Sequence, residues 1–244
     1  MTHVPVEPAP SSASFVEDFI DIFYTPSSVF ERRRGASPWP ALLVITGLFA
    51  ILSYVNFKLL GPAIDAEIAS NIRKIVEANP QMTAEAAAGT AGFIRMTMLA
   101  GAVVLVPLGT LILGLVLWLV AKLFEAQAAL SAAFFVATMS WMPRVLESVL
   151  SALQGLFLDP TAMTSMAAVS LSPARFVDVA TTSPVLVLLL QRLNPFVIWS
   201  YIIIAIGIAV MGRIPRSKGA LTSLILWILA TVPALLGVLR QPGS

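Results

Sequence analysis

Arg144 and Glu147 form the one ionisable pair that stands inside a long apolar stretch, beside Trp141 and Pro143. Their spacing of three residues puts both side chains on the same face of a helix. An arginine at the centre of a bilayer costs about 2.5–3.5 kcal/mol on insertion scales, so we expect it to pair with Glu147. Pro143 leaves a backbone carbonyl free one turn back, near Met139, and predicts a kink.

Two interpretations of this intramembrane polar node, Arg144, Glu147 and Pro143, remain open. In the first, the pair lines a cavity, a gate or an interface with a partner. In the second, it is an ion pair that satisfies itself on a kinked helix, or that lies near the true end of the span and extends its polar groups towards water. The sequence alone does not decide between them.

Residue patterns of known catalytic and cofactor sites are absent from the sequence. It contains no G-x-S-x-G, no G-x-x-x-x-G-K-[ST] and no G-x-G-x-x-G. It has no cysteine, and its one histidine, His3, lies in a polar segment near the N-terminus. We therefore predict no catalytic residue, no metal site and no cofactor, and a protein that is not an enzyme.

Composition indicates that these residues lie in a membrane protein. The chain has 244 residues, of which 58% are hydrophobic and 11% are charged. Soluble domains carry about 25% charged residues, so an ordinary soluble enzyme is excluded. A net charge of +2, with no basic stripe, gives no support to nucleic-acid binding. The expected environment is the lipid bilayer.

Long apolar runs predict five membrane-spanning helices. A bilayer core about 30 Å thick needs about 20 apolar residues, and backbone groups without water partners require helices. The predicted fold class is therefore all-α, a polytopic membrane domain over residues 40–240. The predicted spans are residues 40–60, 94–121, 128–158, 195–212 and 219–239.

Residues 14–39 are predicted to form amphipathic helices on the cytoplasmic side. Ser14 and Glu17 have capping-box spacing, and Thr25 followed by Pro26 fits a second helix start. Residues 1–13 and 241–244 are predicted to be tails, the first of them disordered. The N-terminal segment lacks the basic and apolar regions of a signal peptide.

Aromatic and basic side chains of this amphipathic region are our candidates for an interfacial or partner-facing surface. They are Phe15, Phe19, Phe23, Phe30, Arg32, Arg33 and Arg34. In one interpretation Val29 and Phe30 dip into the lipid interface while the arginines meet lipid phosphates. The carboxylates of the first helix favour another, in which the helices pack on the protein's own spans or bind a basic partner.

Two loops between the spans also carry apolar patterns. Within residues 61–93, Ile64, Ile68 and Ile72 share one face of a predicted amphipathic helix. Thr83 is the expected cap of a helix that leads into the second span. The run Val185–Leu190, within residues 159–194, is too short to span and is either interfacial or re-entrant.

Lysine and arginine residues predict the orientation of the domain. Each side of the predicted membrane carries seven of them near the span ends. One set lies in much shorter segments, 32–34, 122 and 213–218, and short segments have the greatest weight. We therefore expect a cytoplasmic N-terminus and a C-terminus on the outside.

Four segments of the chain together form a familiar pattern: FVEDFIDIFYTPSSVFERRR, SPWPALLVITGLFAIL, SWMPRVLESVL and LNPFVIWSYIIIAIGIAVMG. With them, nearly the whole chain, residues 15–239, resembles the Yip domain family of five-span Ypt/Rab-interacting-protein membrane proteins. The resemblance implies five helices, a cytoplasmic N-terminus and no catalytic residue. Eukaryotic members bind prenylated Rab GTPases, but the short N-terminal segment looks like the bacterial branch, in which no such partner exists.

The sequence supports two functions from different classes. The first is a non-enzymatic scaffold or protein-interaction factor in a bacterial cytoplasmic (inner) membrane, with membrane-protein partners or self-association. The alternative is a small transporter, channel or lipid-handling protein that uses Arg144 and Glu147. A cavity that reaches Arg144 favours the alternative, and a dry packed core around the pair removes its main support.

Overall fold

The computed structural model describes residues 14–179 and 181–240. The predicted tails, residues 1–13 and 241–244, lie outside this part of the chain. Ten α-helices and two short 3₁₀ turns, and no strand, are found in the part described. The all-α prediction is therefore confirmed there.

The helices are α1 (Phe15–Tyr24), α2 (Pro26–Arg32), α3 (Trp39–Leu59), α4 (Gly61–Ala78), α5 (Ala84–Lys122), α6 (Leu130–Met139), α7 (Met142–Phe157), α8 (Pro184–Arg192), α9 (Pro195–Gly212) and α10 (Arg216–Leu239). The 3₁₀ turns, Pro160–Ala162 and Pro173–Phe176, lie in the segment between α7 and α8.

Within residues 14–179 and 181–240, four helices are long and apolar enough to cross a membrane. They are α3, the Val103–Lys122 part of α5, α9 and α10. Helix α9 has the bounds predicted for the fourth span, and α3 and α10 match the first and fifth predicted spans closely. Helix α5 is longer than predicted, because Thr83 caps it (Ala86 N to Thr83 Oγ1, 3.2 Å) and it then continues without a break into the membrane segment.

The third predicted span, residues 128–158, is divided into two helices. Helix α6 ends at Met139 and α7 begins at Met142. Pro143 has no amide hydrogen to donate to the carbonyl of Met139, and its ring crowds that carbonyl, so the helix breaks just before it. Neither half alone is long enough to cross, and five continuous spanning helices are therefore not observed.

The main core lies where α2, α6 and α9 meet. Phe30, Phe135 and Ile203 are fully buried there, and the rings of Phe30 and Phe135 make an edge-to-face contact at 6.2 Å. Gly207 allows α9 to approach closely, since a Cβ built on it would lie 2.8 Å from Phe30 Cζ and from Val136 Cγ1. The N-terminal helices are thus part of the membrane domain's core.

A second, smaller core lies beside the end of α3. Leu60, Ile64 and Ile68 of the α3–α4 region are buried there with Met163 and Val169 of the segment that follows α7. The predicted amphipathic helix of residues 61–93 therefore exists as α4. Its apolar face packs on the protein.

Candidate functional site

Arg144 and Glu147 form the expected ion pair. Arg144 Nη1 lies 2.8 Å from Glu147 Oε2, and the side chains are 37% and 15% exposed. The Asn194 amide Nδ2 donates to Glu147 Oε1 at 2.5 Å. Asn194 also caps α9, because its Oδ1 accepts the backbone N–H of Phe196 at 2.9 Å. One buried asparagine thus joins the pair to the first turn of α9.

This connection fixes the depth of the pair relative to α9. Asn194 immediately precedes the helix, which has 18 residues. A helix of that length is about 27 Å long, close to the thickness of the bilayer core. The pair therefore lies level with one end of a helix that is long and apolar enough to span a bilayer.

A cavity of about 330 Å³ reaches the pair. Its walls are formed by α7, α8, the start of α9 and the segment before the second 3₁₀ turn. The polar side chains in these walls include Arg144, Glu147, Ser170, Ser172, Arg192 and Asn194. The pair is thus not enclosed in a dry core.

Arg192, Ser170 and Ser172 complete this wall. The sequence marked Arg192 only as a basic residue at the end of a short apolar segment, and it did not mark the serines. Arg192 Nη2 donates to the backbone oxygen of Ala230 on α10 at 3.0 Å. The hydroxyls of Ser170 and Ser172 lie 2.9 Å apart, and Ser172 is buried. The position of Arg192 just after the short apolar run 185–190 was the available signal for this residue. No sequence pattern marked the serines.

Pro143 acts on the backbone and is not among the cavity's lining residues. It lies in the first turn of α7 and is buried. The break that it causes turns Trp141 towards its neighbours, where Nε1 donates to Thr110 Oγ1 at 2.9 Å. The ring of Trp141 meets that of Phe49 edge-to-face at 5.4 Å.

Asp18 holds the two N-terminal helices together. Its carboxylate, 1% exposed, receives Arg32 Nε at 2.7 Å and Arg33 Nε at 2.5 Å. Arg32 Nη2 also donates to Asp21 Oδ2 at 2.7 Å. Burial lowers the pKa of Arg32, but the hydrogen bonds to Asp21 and Asp18 and the negative charges of these carboxylates together raise that pKa above its ordinary value. Arg32 therefore stays charged.

The interpretation in which Val29 and Phe30 dip into lipid is wrong, because both side chains are fully buried in the core. Arg32 and Arg33 lie on Asp18, so lipid phosphates are not their main partners. Arg34 Nη2 donates to the backbone oxygen of Val210 at 3.1 Å.

The three remaining aromatic candidates also face the protein. Phe15, Phe19 and Phe23 are partly buried against the main core. Phe23 meets the ring of Trp199 edge-to-face at 5.2 Å. The interpretation of helices packed on the protein's own spans therefore describes this region.

The opposite face of α1 carries apolar side chains that sequence reasoning missed. Val16, Ile20 and Tyr24 are 66%, 56% and 81% exposed. We call these three residues the α1 outer stripe. Their spacing of four residues indicates a second apolar face of the helix. The prediction considered only the face that carries the phenylalanines.

The basic segments used for the orientation meet at one end of the helix bundle. Arg34 reaches the last turns of α9, and Gln127 N donates to Gly212 O at 2.9 Å. Lys218 Nζ lies 3.2 Å from Glu125 Oε2 in the connection between α5 and α6. Residues 32–34, the α5–α6 connection and the start of α10 are therefore neighbours.

No group of three His, Cys, Asp or Glu side chains in the described ranges, 14–179 and 181–240, is placed to hold a metal ion. No curated protein and no solved structure matches the chain. A family model, the Yip1 domain, matches residues 20–237, from the second half of α1 to two residues before the end of α10. The chain belongs to the Yip1 domain family.

Proposed function

We propose that this protein is a non-enzymatic scaffold of a bacterial cytoplasmic membrane, with five crossings, a cytoplasmic N-terminus and an outward C-terminus. Membership of the Yip1 domain family and the four long apolar helices support the membrane assignment. The α1 outer stripe is the observation that carries the scaffold role.

Besides the four long helices, α6 and α7 together form one more crossing, the third along the chain. Ser140 and Trp141, between the two helices, keep right-handed helical backbone angles. The chain therefore keeps a helical course from α6 into α7. Helix α6 packs on α5 and α9, and α7 packs on α3 and α9. The 28 residues from 130 to 157 reach about 40 Å along the helix path, enough for a bilayer core even with a kink.

The proposed orientation follows from the end of the helix bundle at which the short basic segments meet. Short basic segments near span ends remain in the cytoplasm. Arg34, Lys122 and Lys218 lie at the same end of the bundle as the last turn of α9. An odd number of crossings from that side leaves the C-terminus outside.

The scaffold role rests on the outward face of α1. Its inward face is held by Asp18 and by the core, so the helix is fixed in place without a partner. Its outward face combines the outer stripe with the exposed carboxylate of Glu17 and the partly exposed carboxylate of Asp21. A helix of another membrane protein with apolar and basic side chains fits this surface.

A photo-crosslinking amino acid placed at position 20 tests this proposal in intact membranes. We expect a discrete protein adduct that is abolished by Val16→Lys together with Tyr24→Lys, because these changes remove the apolar contact and repel a basic partner. The same crosslinker at Leu43 is the matched control, since this exposed apolar side chain lies on α3.

Lipid adducts alone at position 20, or adducts that persist in the double variant, would contradict the scaffold role. Deletion of residues 15–34 is unsuitable as a test, because it removes Ile22, Val29 and Phe30 from the core.

The cavity at Arg144 is the observation that favours the alternative, a lipid-handling protein. Its polar wall lies level with one end of a spanning helix, which is a suitable depth for a lipid headgroup. This role is compatible with the scaffold, because the cavity and the α1 outer stripe are formed by different helices.

A further inference from the structure

We propose that the cavity between α7, α8 and α9 binds the phosphate-bearing headgroup of an anionic phospholipid, with one acyl chain in a neighbouring apolar groove between α9 and α10. This inference deepens the lipid-handling alternative above. It does not depend on the scaffold role or on the α1 outer stripe.

The charges of the cavity favour an anion. Arg144 and Arg192 both line it, against the single carboxylate of Glu147. That carboxylate already accepts hydrogen bonds from Arg144 and Asn194. Each guanidinium has five N–H donors, and the contacts of Arg144 with Glu147 and of Arg192 with Ala230 O use only a small part of them. The remaining donors suit the oxygens of a phosphate group.

Hydroxyl groups add neutral donors to the same wall. Ser170 and Ser172 hold each other at 2.9 Å, and Ser172 is fixed by accepting the backbone N–H of Ala174 at 3.3 Å. Ser172 and Asn194 are buried, so this side of the cavity is positioned before a ligand arrives. Preorganised polar groups of this kind reduce the cost of binding.

The size of the cavity suits a headgroup and not a complete lipid. Its volume of about 330 Å³ is at the lower end of the range for small-molecule pockets. Asn194 places it level with the first turn of α9, where a spanning helix meets the headgroup region of one leaflet.

A groove of about 280 Å³ between α9 and α10 provides the place for an acyl chain. Ile198, Ile202, Leu224 and Trp227 are among its lining residues. It begins next to the cavity, because Ile198 follows the cavity residue Val197. Arg192 is hydrogen-bonded to Ala230, one turn along α10 from Trp227. A phosphate at Arg192 can therefore be joined to a chain in this groove.

Native mass spectrometry of the detergent-purified full chain tests the proposal. The added ligands are phosphatidylglycerol, phosphatidylcholine with the same acyl chains, and glycerol 1-phosphate. We expect one phosphatidylglycerol to be retained, with phosphatidylcholine and glycerol 1-phosphate each at least about tenfold weaker. Arg192→Gln should weaken phosphatidylglycerol binding by about tenfold or more, since hydrogen bonds to charged groups are worth about that factor.

Arg240→Gln is the matched control, because Arg240 is an exposed arginine just beyond the end of α10 that does not line the cavity. It should bind phosphatidylglycerol like the unchanged protein. Ile202→Trp, which fills the groove but leaves the arginines in place, should also weaken binding. Circular dichroism and gel filtration identify any variant that fails to fold.

Equal phosphatidylglycerol retention by a folded Arg192→Gln variant and the unchanged protein would overturn the proposal. Equal binding of glycerol 1-phosphate would show a soluble phosphate ester as the ligand and overturn the lipid assignment. Equal binding of the two lipids would overturn the preference for anionic headgroups. None of these results bears on the crosslinking test at position 20.

Discussion

Asp18 is a buried carboxylate whose effect on the fold comes from its two arginine partners. A buried ion pair adds little stability by itself, because taking the charges out of water offsets their attraction. Removing one partner is costly, since the other charges then lack compensation. Here the carboxylate joins α1 to the chain at the end of α2, and α2 carries Val29 and Phe30 into the core.

Asp18→Asn should therefore loosen α1 and α2 while the spanning helices stay folded. Arg33 loses a carboxylate partner and Arg32 keeps Asp21, so we expect a local loss of about 1–3 kcal/mol. Hydrogen–deuterium exchange should show faster exchange over residues 15–33. Asp65→Asn is the control, because the Asp65–Arg95 pair is exposed and contributes less than about 1 kcal/mol. Unchanged exchange in α1 and α2 would show that the carboxylate is not needed there.

Gly207 lies where α9 packs closely against Phe30 of α2. A Cβ at this position would lie 2.8 Å from atoms of Phe30 and Val136, both buried. Gly207→Ala should destabilise the protein by about 1–3 kcal/mol through overpacking. Thermal unfolding in detergent, followed by circular dichroism, should then show a Tm lower by about 2–10 °C.

Gly47→Ala is the matched control for this prediction. It is also a glycine within a spanning helix, and a Cβ there meets no atom within 4 Å. Alanine is the better helix former, so its Tm should be unchanged or higher. Equal Tm losses in the two variants would argue against close packing at Gly207.

At the scale of elements, the break between α6 and α7 separates what was predictable from what was not. Pro143 marked a kink in the third predicted span, but residue spacing could not show whether the helix would bend or divide. It divides at Pro143, where Trp141 N donates to Thr138 O, and the hydroxyl of Ser140 then donates to Ala137 O at 2.7 Å. Local side-chain donors of this kind satisfy backbone groups where the helix ladder stops.

The two halves should still cross the membrane as one unit. The chain has no cysteine, so single cysteines can be placed without a background. A membrane-impermeant maleimide added to intact cells should label Thr164→Cys, beyond α7, and not Gln127→Cys, before α6. Both positions are exposed. After lysis both should react. Labelling of both positions in intact cells would contradict the crossing.

Helix α1 shows a second limit of sequence reasoning at this scale. Its capping box, Ser14 with Glu17, was predicted and is present. Its amphipathic pattern was also recognised, but Phe15, Phe19 and Phe23 face the core, and Val16, Ile20 and Tyr24 face outward. Both faces are apolar, and the buried one is the face that carries Asp18, which binds Arg32 and Arg33.

At the scale of the whole molecule, the membrane class and most helices follow from hydropathy, because length and apolarity are local properties of the sequence. Contacts between distant segments were not predictable. The cavity requires α7, α8 and α9 to meet, and it depends on Asn194 reaching Glu147 from 47 residues away. The polar pair was therefore visible in the sequence, whereas the placement of Arg192 and the two serines beside it was not.

The central claim is a membrane domain that crosses the bilayer five times, and the sidedness of the two chain ends tests it most directly. Single cysteines at positions 2 and 244 of the cysteine-free chain can be probed with an impermeant maleimide in intact cells. Five crossings from a cytoplasmic N-terminus predict labelling at position 244 alone, with position 2 reacting only after lysis. Labelling of both positions, or of neither, in intact cells would mean an even number of crossings and would contradict the account.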